Sequence, residues 1–287
     1  SIDQQLTFSK LSIELIRVLG IEQLNRDILK TLELYSDQNG FNNAAALLAD
    51  TNSFKGIDII RFGNSINEIM ERKSLENISI LLQMEQCIQM FHQYYRYEKI
   101  EGMDRKSVDK IPERDFREAV ANALVHRMWD IPASIKISMY SDKIEISSPG
   151  GLPAGISEDE YLNGQISLLR NPIIGNVFFR LKYIEKFGTG IMRINYAYKD
   201  ALIKPDYHIF SNSIQIILPV IKSDYKLNET EKKLLNILKI NGSMTRNEIE
   251  KAAEIDKSKA IRGLNRLIEK KMIQKRDLGR GTKYEIV

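Results

Sequence analysis

The chain has 287 residues, 43% hydrophobic and 28% charged, with a net charge of +4. That is an ordinary globular composition, long enough for two domains or three small ones. No apolar run approaches the roughly 20 residues of a membrane span, and no secretory leader is expected. The solitary Cys87 rules out a disulfide framework and a thiolate metal site. A cytoplasmic protein without membrane partners is expected. The charge is unevenly spread. Residues 225–287 hold 16 Lys and Arg against 9 Asp and Glu, a surplus of 7, so the rest of the chain carries −3. The basic tail points to a polyanion partner for that part.

Residues 1–110 read as a mostly helical region leading into a central domain. Leu11, Leu15, Val18 and Leu19 share a helical face that Gly20 stops. A second helix is expected over 25–34, a turn at Asp37-Gln38-Asn39-Gly40, and a short buried helix over 43–48. Residues 57–62 read as a strand and 78–95 as a longer helix. Tyr94, Tyr95 and Tyr97 form an aromatic cluster best explained by packing. His92 is read as structural.

The segment from Pro112 to Asp130 has the most chemical content. Phe116, Ala119, Val120, Ala123 and Leu124 repeat at helical spacing, and Ala121 and Val125 make the opposite side apolar too. Such a helix should be buried. Glu118, Asn122 and His126 nevertheless stack four apart along one line of it. A buried row of carboxylate, carboxamide and imidazole needs partners, which suggests a ligand or a metal.

Beyond it, Ile135, Ile137 and Met139 alternate with polar residues as a strand, and Ile144 and Ile146 alternate in the return strand. The hairpin runs into Ser148-Pro-Gly150-Gly151, where glycines permit close backbone approach. Asn171-Pro172 opens a helix to about residue 182. Gly188-Thr189-Gly190 leads into a helix to about residue 201, and a glycine turn at a helix start favours anions. His208 falls in a loop before a closing strand over 213–220.

A polar link over 222–226 enters a third unit over 225–287. Asn228 and Thr245 cap the first two helices, and Asp256 or Ser258 starts a third. A hairpin of residues 273–276 and 283–286 follows. Three short helices and a basic hairpin form a winged helix-turn-helix pattern. Lys257, Lys259, Arg262 and Arg266 lie on the third helix, and Arg276, Arg280 and Lys283 arm the hairpin. These seven are the candidate double-stranded-DNA contacts.

The runs Phe116-Arg-Glu-Ala-Val-Ala-Asn-Ala-Leu-Val-His-Arg127, Ile146-Ser-Ser-Pro-Gly-Gly-Leu-Pro153, Arg170-Asn-Pro172 and Ile184-Glu-Lys-Phe-Gly-Thr-Gly-Ile191 resemble a family of bacterial transcriptional regulators with a divergent Bergerat-type, GHKL-like ATPase domain. The resemblance covers residues 111–220. It extends more thinly upstream, through Asn43-Ala-Ala-Ala-Leu-Leu48 and Ile60-Arg-Phe62. It implies an α+β chain: a helical N-terminal segment over 1–110, a Bergerat-type α/β sandwich over 111–222 and a winged helix-turn-helix. The family's frequent upstream Schlafen/AlbA-type domain is expected to be missing here.

By position, the resemblance makes Glu118 the general base that activates water and Asn122 an oxygen ligand of Mg²⁺. It makes Gly188, Thr189 and Gly190 the phosphate loop, and Ser148 and Gly150 contacts to the ATP base. Here the sequence departs from the ATPase pattern. Ser148 stands where those ATPases have an Asp and Leu152 where they have a second glycine. Losing a charged acceptor costs about 1.5–3 kcal/mol, roughly ten- to a hundredfold in affinity.

The expectation is a DNA-binding transcriptional regulator. Its central domain would sense a nucleotide or support homodimerisation on a palindromic operator. The alternatives are a Mg²⁺-dependent ATPase that opens and closes a dimer, and a binding module with a degenerate ATP site. Some relatives are labelled helicase-related, but no Gly-x-x-x-x-Gly-Lys-Ser/Thr loop occurs, so helicase activity is not expected.

Overall fold

The computed structural model describes residues 1–102, 104–164, 168–185, 188–199, 201, 203–221, 227–270, 272–277 and 282–286. The chain divides into two compact units, Ser1–Ile221 and Lys222–Val287.

The first unit begins with α1 (Ser9–Leu19), which ends at the left-handed Gly20. Asn25 caps α2 (Arg26–Thr31), and the hairpin of β1 (Tyr35–Ser36) and β2 (Gly40–Phe41) leads to α3 (Asn43–Leu48). Then come β3 (Ile57–Phe62), β4 (Ile69–Leu75), α4 (Ile80–Tyr95) and the hairpin of β5 (Arg96–Glu101) and β6 (Asp104–Asp109). The motif helix is α5 (Glu113–His126). After it run β7 (Ile135–Met139), β8 (Lys143–Pro149), α6 (Glu158–Leu162), α7 (Pro172–Arg180), α8 (Gly190–Ala197), β9 (Asp206–Phe210) and β10 (Ser213–Pro219).

Six strands form one sheet in the order β4-β3-β7-β8-β10-β9. Only the β3–β7 pair is parallel; the other four are antiparallel. Ile59, Ile137, Ile146 and Ile216 lie in register across four strands, so one row of branched side chains faces the helices. A single buried core runs from Leu11 of α1 to Leu218 of β10. Phe91 of α4 stacks on Phe116 of α5 with ring centroids 4.7 Å apart, which joins the early helices to the motif helix. The N-terminal region therefore adds two strands to the central sheet besides its helices.

Several expectations on local structure change. His208 is in edge strand β9, opposite Gln215, with its Nε2 2.8 Å from Asp206 Oδ2, rather than in a loop. The helix after Gly190 stops at Ala197, short of residue 201. Strands β4, β5 and β6 were not anticipated.

In the second unit, Asn228 caps α9 (Glu229–Asn241) with a capping box. β11 (Met244–Thr245) precedes α10 (Arg246–Ala253), α11 (Lys257–Glu269), β12 (Ile273–Asp277) and β13 (Thr282–Ile286). The strands pair as β11-β13-β12. Leu234, Leu235, Leu238, Ile249, Leu264 and Leu267 are buried and form the core beneath α11. Three helices with a small antiparallel sheet make a winged helix. The link over 222–226, and Arg280 with the turn around it, lie outside the described residues.

Candidate functional site

Helix α5 is buried on nearly every side: Phe116, Ala119, Val120, Ala121, Leu124 and Val125 are all fully covered. Glu118 and Asn122 are half-buried on its one polar line. Asn122 Nδ2 donates to Glu118 Oε1 at 3.3 Å, which leaves the Asn122 carbonyl oxygen for another partner. Burial raises the Glu118 carboxyl above its usual range against the opposing hydrogen bond from Asn122 and the charge of Arg193.

The start of α8 meets this pair. A Cβ on Gly190 would collide with Glu118 Oε1 and come within 2.9 Å of Asn122 Nδ2. Only glycine lets the α8 backbone approach so closely. Gly188 is in the left-handed region with φ 64°. Thr189 is the N-cap of α8, and its buried Oγ1 has no hydrogen-bond partner among the described residues. An orphaned hydroxyl beside free helix N–H groups is suited to phosphate oxygens.

A cavity of about 20 Å³ lies one turn further along α5. Asn122, His126, Ser148, Gly150, Tyr161 and Ile216 are among its lining residues. Ser148 Oγ donates to the Ala123 carbonyl at 2.8 Å, so its hydroxyl proton is engaged and the oxygen can act only as an acceptor. Burial first, and the Arg170 charge second, push the His126 imidazole down to about 4, so it is neutral near pH 7. The expected residues thus gather in two adjoining clusters: Glu118, Asn122, Thr189 and Gly190 in one, and Asn122, Ser148 and Gly150 in the other.

A larger surface depression, about 400 Å³, lies around Thr31, Glu33, Asn176 and Arg180, and none of the site residues lines it. Chemistry rather than size selects the smaller cavity.

Several residues here take a role that the sequence did not assign them, although Arg127, Arg170 and Asn171 fall in its motif runs and Asn171 was expected only as a helix cap. Arg170 donates to the His126 and Gly151 carbonyls, and Asn171 Nδ2 to those of Val125 and Arg127. Together they satisfy the last carbonyls of α5 and the chain just beyond it. Arg127 is fully buried, donates to the Lys55, Gly56 and Ala133 carbonyls, and lies over the Trp129 ring. Asp115 is buried, its Oδ2 without a partner among the described residues, and burial lifts its carboxyl to about 7.

In the winged helix, Lys257, Lys259 and Arg262 are exposed on α11 with no ion-pair partner among the described residues. Arg266 is exposed but lies 3.9 Å from the buried Glu231, which Lys270 also holds at 2.7 Å. Arg276 Nε pairs with Glu285 at 2.5 Å across the hairpin. Lys283 sits half-buried in β13. Of the candidate DNA contacts, those without an ion pair among the described residues thus lie on the N-terminal half of α11, apart from Lys283.

Residues 133–218 match the HATPase family described as "Putative ATP-dependent DNA helicase recG C-terminal". Residues 221–287 match the family described as "Sugar-specific transcriptional regulator TrmB". This chain joins an ATPase-like domain to a winged helix of transcriptional-regulator type. The first match begins after α5, so Glu118 and Asn122 rest on motif and geometry. The crystal structure of the DIP2311 protein from Corynebacterium diphtheriae is similar in fold, with a TM-score of 0.65 at 17% identity. The similarity covers 100% of this chain and 64% of that one, so the chain spans under two thirds of that protein's length. No curated protein matches. Among the described residues, no helix is long and apolar enough to cross a membrane.

Proposed function

We propose that this chain is a cytoplasmic DNA-binding transcriptional regulator whose ATPase-like domain takes ATP with Mg²⁺ as its effector, working as a homodimer. The observation that carries the nucleotide half is the approach of the α8 start to Glu118 and Asn122, with the orphaned Thr189 hydroxyl beside it. The phosphate end of a nucleotide fits these groups. Among the described residues no cluster of three or more His, Cys, Asp or Glu could hold a metal. Asn122 through its carbonyl oxygen would therefore be one ligand of a cation that phosphate oxygens and waters complete. When bound, Mg²⁺ would supply charge neutralisation to the phosphates.

The DNA half is supported by the exposed cations of α11 above a packed three-helix core, and by the regulator-family match. Arg262 and Lys259 would enter a major groove, with Lys257 on a flanking phosphate. A second reading, turnover of ATP, is favoured by the raised Glu118 carboxyl, since a base nearer neutrality transfers protons better.

The test is recovery of genomic fragments on the full chain with and without millimolar Mg-ATP. The proposal expects enrichment of a palindromic duplex and a change in its yield with nucleotide. No duplex enrichment removes the DNA half, and a yield indifferent to ATP removes the effector half.

A further inference from the structure

The cavity beside Ser148 is too small for the base it is proposed to take. Its volume of about 20 Å³ holds roughly one water molecule, whereas ligand pockets usually run to about 300–1,000 Å³. What fills the difference is visible. Tyr161, from the short helix α6, lines the cavity together with Asn122, Ser148, Ile146, Ile214 and Ile216. We infer that the Tyr161 ring occupies the room of a purine ring, so that a nucleotide enters only by displacing it. This rests on the nucleotide reading above and deepens it: Tyr161 sets whether the base pocket is open.

Three observations agree. An aromatic ring and branched aliphatic side chains line the same cavity, and a purine in place of the ring would meet the same kind of surface. No described residue hydrogen-bonds the Tyr161 hydroxyl, so its departure breaks no such bond among the described residues. Its surroundings hold it neutral: burial pushes the phenol up to about 12, against the lowering effect of Arg170.

The same segment also covers the phosphate end. A Cβ on Gly164, two residues beyond α6, would lie 2.8 Å from the Gly188 carbonyl and 3.3 Å from Met192 of α8. Base pocket and phosphate loop are therefore closed by one piece of chain. Its α6 is independently stiffened by a capping box between Ser157 and Glu160. Withdrawal of α6 as a unit would open both clusters together, which lets ligand entry change the surface around α6 and α8.

The experiment uses the full chain with adenosine and ATP as probes, in the wild type, Tyr161→Phe and Tyr161→Ala, read by calorimetry. Tyr161→Ala should bind adenosine at least tenfold more tightly than the wild type, and Tyr161→Phe should match the wild type. Equal or weaker binding by Tyr161→Ala, with ATP still bound by the wild type, overturns the inference and leaves the nucleotide site standing. No nucleotide bound by any of the three removes the nucleotide site and this inference with it. Nitration of Tyr161 in the wild type, mapped by mass spectrometry, gives a readout that needs no variant to fold. Saturating ATP should speed nitration several-fold, and an unchanged or slower rate overturns the inference.

Discussion

Gly190→Ala separates the site from the fold. The added methyl collides with Glu118 Oε1 and comes within 2.9 Å of Asn122 Nδ2. Both are ends of flexible side chains, so they swing away and the backbone stays. Off-rotamer strain in the displaced pair costs about 0.5–1.5 kcal/mol. Replacing glycine at a helix start returns up to about 1 kcal/mol of propensity. The two nearly cancel, so the melting temperature should move by no more than about 4 °C. The ligand suffers more, because Asn122 and Glu118 no longer face the α8 start. Loss of one charge-assisted hydrogen bond is worth about 1.5–3 kcal/mol, or roughly ten- to a hundredfold in ATP affinity. Thermal unfolding and calorimetric titration with Mg-ATP on the same sample decide it. A folded variant with undiminished ATP affinity would refute the placement of phosphate at α8.

Further outcomes concern protons and salt. Asp115 has a folded pKa of about 7 against an ordinary 3.8, so between those values the unfolded chain ionises while the fold keeps its proton. Stability therefore falls as pH rises from about 4 to 7, by at most about 4 kcal/mol. Asp115→Asn should melt several degrees above the wild type at pH 8 and level with it at pH 4; equal gaps at both would contradict the assignment. His126 acts in the opposite sense. Its folded value of about 4 lies below the ordinary 6.5, so stability is lost as pH falls through that window. Its imidazole proton resonance should titrate with a midpoint near 4, and a midpoint above 6 would show it is not buried beside Arg170. Lys259→Ala and Arg262→Ala should each flatten the salt dependence of duplex binding by about one unit of slope. An unchanged slope for both would place the DNA elsewhere.

The four-residue spacing of Glu118 and Asn122 was legible because one helix carries both, and helical period alone puts them on a line. Gly188 and Gly190 were legible as a turn, but not the close approach of Gly190 to Glu118, which depends on how α8 packs on α5. Strand β4 reads Ile-Met-Glu-Arg-Lys-Ser-Leu, and the β5–β6 hairpin is similarly charged. β4 is a sheet edge and β5–β6 a two-stranded hairpin, where solvated charged side chains are tolerated and blur the alternation that marks a strand. Tyr161 was invisible because a single aromatic in a short helix carries no period. In the winged helix, composition showed the positive surplus but not its internal use. Arg266 and Arg276 face Glu231 and Glu285, partners 35 and 9 residues away in sequence, so counting charge overstated what is free for DNA.

Hydrogen exchange of the full chain with and without saturating Mg-ATP tests the central claim most directly. If the nucleotide seats between α5 and α8, amides of residues 188–194 and the α5 turn bearing Glu118 and Asn122 should exchange at least tenfold more slowly. Those of the 229–269 helices should not be protected by direct contact. Identical exchange across α5 and α8 at millimolar Mg-ATP would contradict the account.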